Sequence, residues 1–251
     1  MLMLPSSLSV ASLDFGAAVW RADALACAGG ATVASGHGAL DAELPGGGWP
    51  LGAISEILQP PGVCQEWRLL LPALTRTCGP VVLVGPPQVP FGPGLAAQGL
   101  DARRLLWVGA AAPAARLWAT EQALRCAEVA AVLAWLPQVR TEQLRRLQLA
   151  AQTHSKLLFV LRPAAAQSES SPAVLRLLLV RASSAGVAPD ALRVQILKRR
   201  GAPLARTLVL SARPASLAVL LALRGDNPGP GQQLVAREEA GHALDCLAAG
   251  A

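Results

Sequence analysis

The stretch "LPGGGWPLGAISEILQPPGVCQEW" (Leu44–Trp67) decides how this chain is read. A glycine turn leads into a short apolar strand over Ala53–Leu58, then a loop, then the start of a helix. That is the run-up to a phosphate-binding loop, in which backbone N–H groups cradle phosphate, a lysine reaches the terminal phosphates and a Ser/Thr hydroxyl binds magnesium. Laid on that frame, Gln59 stands at the first glycine, Cys64 at the second, Gln65 at the lysine and Glu66 at the Ser/Thr. Glu66 would set a negative charge against phosphate, and Pro60 and Pro61 remove two N–H donors. The loop is a degenerate P-loop with the wrong sign of charge, and no cofactor is expected in it.

Downstream of the loop, apolar runs alternate with helical spacing. "QEWRLLLPALTRTC" reads as a helix kinked by Pro72, "PVVLVG" as a second strand and "RLLWVG" as a third. "PAARLWATEQALRCA" opens a helix with Pro113 at its first position, "AAVLAWL" is a fourth strand, and "TEQLRRLQLAAQTHS" is a helix capped by Thr141. "KLLFVLRP" is the fifth strand. This alternation predicts an α/β fold, a largely parallel twisted sheet flanked by helices. Three strand-like segments then follow without intervening helices: "AVLRLLLVRAS", "ALRVQILKRRG" and "ARTLVLSA". In the second, Leu192, Val194 and Ile196 alternate with Arg193, Gln195 and Leu197, and the expectation is antiparallel strands at one sheet edge. Residues 1–35 form an N-terminal helical segment around "AAVWRADALACA", residues 36–212 the core, and residues 213–251 a partly flexible tail rich in Ala, Gly and Pro.

Composition limits the alternatives. The chain has 251 residues, 53% apolar and 15% charged, which excludes a disordered chain. Its net charge of +6 permits an anionic partner without requiring one. The five cysteines form no CxxC pair and share no spacing with the three histidines, which argues for reduced thiols in a cytoplasm and against structural zinc. The uncharged span Gly79–Leu100 contains five prolines, too many for a membrane helix. The N-terminus lacks the positive flank of a signal peptide, so a cytoplasmic protein is expected. No GxSxG, HExxH or paired-acid motif appears, and His37 and His154 read as capping or surface residues.

"SGHGALDAELPGGGWPLGAISEIL" resembles the opening of the core of RecA-type recombinases, and its "LPGGGWP" form is similar to the ImuA family of translesion-synthesis accessory proteins. The likeness runs from Phe15 to Ser211 and includes "SSPAVLRLLLVRAS…ALRVQILKRRG", similar to the closing hairpin of a RecA core. It implies a RecA-like core with a degenerate P-loop. Within that frame a catalytic glutamate would follow the second core strand, where this chain has "VGPPQVP", and a metal-binding acid would fall near Ala134 or Trp135. The resemblance therefore implies a non-catalytic protein. Its implied partners are an ImuB-like relative of Y-family polymerases, an error-prone C-family DNA polymerase and RecA, in the SOS response to DNA damage. A SulA-like cell-division inhibitor acting on FtsZ is the alternative; SulA is shorter, and the C-terminal tail favours the first.

Direct DNA binding is expected to be weak or absent. The two loops that hold single-stranded DNA in RecA relatives correspond here to "LPQVR" and "PAAAQSESSP", the latter with Glu169 and no basic residue. Arg140, Arg145 and Arg146 make either a small nucleic-acid patch or a solvated helix face. Trp107, Trp135 and Phe159 read as core rather than base platforms. Gly46, Gly47, Gly48 and Trp49 read as a structural turn whose tryptophan packs beside the first strand. In the tail, Leu234, Val235, Leu244 and Leu247 are the large apolar groups of a short amphipathic helix that either docks on a partner, caps its own core or stays unfolded.

Overall fold

The computed structural model describes residues 30–180 and 191–211. The expected helix at Ala17–Ala28 and the tail residues Leu234, Val235, Leu244 and Leu247 lie outside the described residues. The fold is α/β. Strand β1 (Thr32–Val33) pairs antiparallel with β2 (Trp49–Pro50), and between them lie the one-turn helix α1 (Gly38–Asp41) and the glycine turn. Thr32 Oγ1 donates to the Gly46 carbonyl at 2.7 Å.

The main sheet is built from β3 (Ala53–Gln59), β4 (Val81–Val84), β5 (Leu105–Val108), β6 (Ala131–Trp135), β7 (Leu157–Pro163), β8 (Leu175–Val180), β9 (Ala191–Lys198) and β10 (Thr207–Ser211). Their order across the sheet is β10-β9-β8-β3-β7-β6-β4-β5. Strands β8, β3, β7, β6, β4 and β5 run parallel, and β9 turns antiparallel to β8. The antiparallel edge therefore begins one strand later than expected: β8 extends the parallel sheet beside β3. The alternation read in β9 is observed, with Leu192, Val194 and Ile196 buried.

Helices α2 (Glu66–Leu74), α3 (Gly92–Ala96), α4 (Pro113–Arg125) and α5 (Thr141–Thr153) connect the parallel strands. One face of the sheet, with Ile54, Val82, Val84, Val132, Leu158 and Val160, packs against Leu124 of α4 and Leu144, Leu147 and Ala151 of α5. Residues of opposite parity, among them Ile57, Leu83, Leu133 and Phe159, are equally buried, so the central strands are covered on both faces and read as unbroken apolar runs. Helix α2 holds Pro72 inside it; Arg104 closes its C-terminal end by donating to the Leu74, Thr77 and Gly79 carbonyls. A cation there complements the helix dipole.

Three expectations need correction. Trp107 is not core: β5 is the sheet edge, and the ring is 51% exposed. Thr141 does not cap α5; it is the first helical residue, and Gln143 Oε1 caps by accepting from the Arg140 N–H at 2.9 Å. His37 is neither a surface residue nor a side-chain cap on α1. It is buried, and its Nε2 lies 3.2 Å from the Leu69 carbonyl of α2. A carbonyl only accepts, so Nε2 carries the proton.

The turn before β2 has the geometry its glycines permit. Gly46 and Gly47 have φ of +78° and +73°, and a Cβ at Gly48 would sit 2.3 Å from the Val33 carbonyl oxygen. Trp49, delivered by that turn, is fully buried and meets Phe159 of β7 edge-to-face at 5.2 Å. Its indole N–H has no acceptor among the described residues. Trp49→Ala should cost about 3–5 kcal/mol in chemical denaturation. Trp49→Phe, which keeps a ring and removes the unpaired N–H, should cost less than half as much.

Candidate functional site

The loop between β3 and α2 is short because its sequence makes a tight turn. Pro61 and Gly62 occupy the central positions of a β-turn in which the Val63 N–H donates to the Pro60 carbonyl at 3.1 Å, with Gly62 at φ +73°. Proline followed by a glycine of positive φ is the type II signature. The chain thus reverses where an anion-cradling loop would leave a run of N–H groups. Helix α2 opens with the Leu69 N–H on the Gln65 carbonyl at 3.2 Å.

Gln59 ends β3 and Glu66 begins α2, and the two close on each other: Gln59 Nε2 donates to Glu66 Oε2 at 2.9 Å. Glu66 is buried, and its carboxylate stands in the first turn of the helix, where the dipole favours negative charge. Gln65 turns its Oε1 into the interior with no partner among the described residues. Cys64 is exposed, and burial of its sulfur together with the Glu66 carboxylate pushes its thiol up, away from the reactive thiolate. Of the four positions read from the sequence, Gln59 and Glu66 are joined in a closed amide–carboxylate contact.

The carboxyl ends of the other strands carry an arginine that sequence reading missed. Arg116, in the first turn of α4, donates through Nε to the Ala110 carbonyl at 2.8 Å and through NH1 to the Trp135 carbonyl at 3.2 Å. It lies across the ends of β5 and β6, beside a cleft of about 660 Å³. A cation in a helix's first turn opposes the dipole, and that misplacement in "PAAR" was the available signal.

Deeper in the sheet lies a second missed group. Glu56 of β3, 0% exposed, accepts from Arg162 NH1 of β7 at 2.8 Å and from Arg176 Nε of β8 at 2.7 Å. Arg162 also donates to Glu169 at 2.6 Å, and Arg176 to the Ala166 and Gln167 carbonyls. Burial draws the Arg162 guanidinium down, and the Glu169 and Glu56 carboxylates more than offset it, holding its pKa above the usual value. Glu169 is therefore a partner of the core, pinning the turn after β7 against the sheet.

Arg140, Arg145 and Arg146 are all exposed. Arg146 and Arg125 both donate to Glu121, at 2.9 and 2.5 Å. No protein-family model and no curated protein matches the chain.

Removing Glu56 would strand two buried guanidinium groups. Glu56→Leu should cost about 3–5 kcal/mol by urea denaturation. The triple change Glu56→Leu, Arg162→Met, Arg176→Met should recover most of that loss, because an apolar replacement of a buried ion pair is near neutral.

Proposed function

We propose that this protein is a non-catalytic, RecA-like accessory protein of SOS-induced, error-prone translesion DNA synthesis, acting by binding other proteins. The observation that carries the reading is the contact between Gln59 and Glu66. A buried carboxylate at the start of α2 offers repulsion to a phosphate at the point where a nucleotide-binding loop supplies lysine. Supporting it are the glycine–tryptophan turn leading into a central strand, the parallel strands joined by helices, and the β8–β9 hairpin, in the order the RecA and ImuA resemblance implies. On this reading the partners are an ImuB-like subunit, an error-prone C-family polymerase and RecA, and the setting is cytoplasmic. Among the described residues no helix is long and apolar enough to cross a membrane.

Calorimetry with magnesium-ATP should show no binding heat; micromolar affinity would overturn the reading. Gln65→Lys with Glu66→Thr should not yield hydrolysis, because no acid follows β4 or ends β6 to act as base or bind metal. Co-expression with the ImuB-like subunit should give a complex that survives purification, and capture of FtsZ instead would transfer the protein to the cell-division alternative. Truncation after Arg213 should weaken that complex; undiminished affinity would place docking on the core.

A further inference from the structure

Helices α4 and α5 lie side by side on one sheet face, and the seam between them is an open groove. Three depressions of about 660, 290 and 570 Å³ run along it. The first two share Ala114, Leu117 and Gln143, and the last two share Glu121 and Arg146, so the groove is continuous from the N-terminal to the C-terminal ends of both helices. Thirteen residues make each helix about 20 Å long, matching a docked helix of similar length.

Two features give the groove its chemistry. Trp118 in the groove is 66% exposed and Leu149 at its far end 63%, large apolar groups held in solvent. The charged groups lining it are Arg116, Arg125, Arg140 and Arg146 against Glu121, four cations to one anion. Glu121 spends both carboxylate oxygens on Arg125 and Arg146, which fixes their guanidinium groups next to each other across the seam. Each uses one NH2 in that contact and keeps its remaining donors for an incoming carboxylate. Holding the forks in place beforehand reduces the ordering cost of binding.

We propose that this groove binds an amphipathic helix of another protein, one with an apolar ridge flanked by Asp and Glu. The ridge covers Trp118 and Leu149, and the carboxylates meet Arg125 and Arg146. A nucleic acid fits less well: among the described residues Trp118 is the one exposed tryptophan along the groove, and Leu149 offers no stacking face for a second base. The inference rests on the reading of the protein as a binding adaptor and names the surface that reading leaves open.

A displayed library of helical peptides, selected on the full chain, tests it. The expected outcome is enrichment of peptides with apolar residues at helical spacing flanked by acids. Their affinity, measured by fluorescence anisotropy, should fall at least about tenfold with Trp118→Ala or Leu149→Ser. It should fall about as far with Arg125→Gln plus Arg146→Gln, and that variant should lose most of its salt dependence. All four side chains are exposed, and unchanged melting temperatures would verify folding. Selection without acidic bias, or peptides indifferent to Trp118→Ala, would overturn the proposal. So would tighter peptide binding after truncation at Ser211, which would assign the groove to residues 212–251. Displacement of the peptide by single-stranded DNA, or a self-association abolished by the arginine changes, would assign it to nucleic acid or to a second copy. If the groove fails while the ImuB-like subunit still co-purifies, only this inference falls; loss of that complex removes the adaptor reading itself.

Discussion

A single carboxylate holds the centre of the sheet together. Glu56 sits on β3 with β7 on one side and β8 on the other, and it takes one guanidinium from each. Because side chains alternate between faces, a slip of one residue in β3 would carry Glu56 to the opposite face, beside Phe159 of β7, and leave both arginines stranded. An apolar strand tolerates such a slip more readily, since its two faces read alike. The ion cluster therefore fixes register in a place where hydrophobicity alone specifies it weakly. It also fixes topology: Arg176 reaches Glu56 only if β8 lies parallel beside β3, at the register that pairs these two residues.

The same cluster explains how the turn after β7 is organised. Glu169 and the Ala166 and Gln167 carbonyls consume the outward donors of Arg162 and Arg176. The turn is thereby folded down onto the carboxyl ends of the strands. Arg162 and Arg176, which read from sequence as surface charge, are buried in the core instead.

Much of this architecture was legible because it follows from local periodicity. The strands at Val81, Ala131 and Leu157 open on apolar runs, and Pro113 opens its helix where its missing N–H costs nothing. What stayed hidden depends on partners distant in the chain. Glu56 looks like an isolated acid in "AISEIL", and its arginines lie 106 and 120 residues away. Trp107 was read as core because "RLLWVG" resembles a buried strand, and only the crossover order shows that β5 has a neighbour on one side alone. Arg146 gives no sign in sequence of its partner Glu121, which lies 25 residues back on α4. At the loop, the "PPGV" turn that brings Gln59 onto Glu66 is a readable signal in the sequence.

The closed loop and the open groove are related by the logic of the helix dipole. In a nucleotide-binding fold the positive end of the first helix is left unsatisfied so that phosphate can complete it. Here α2 carries its own anion, Glu66, and that anion is held by the last side chain of the strand before it. The first turn of the helix thus carries its own negative charge. The unmet demand lies elsewhere. Arg116 stands in the first turn of α4 against the dipole, and Arg125 and Arg146 share one carboxylate between two cations, an arrangement one negative charge short of balance. The outer face of α4 and α5 therefore carries positive charge that its own side chains leave partly uncompensated, on a sheet that holds that face rigid, and this is what the proposed docking of an acidic helix requires.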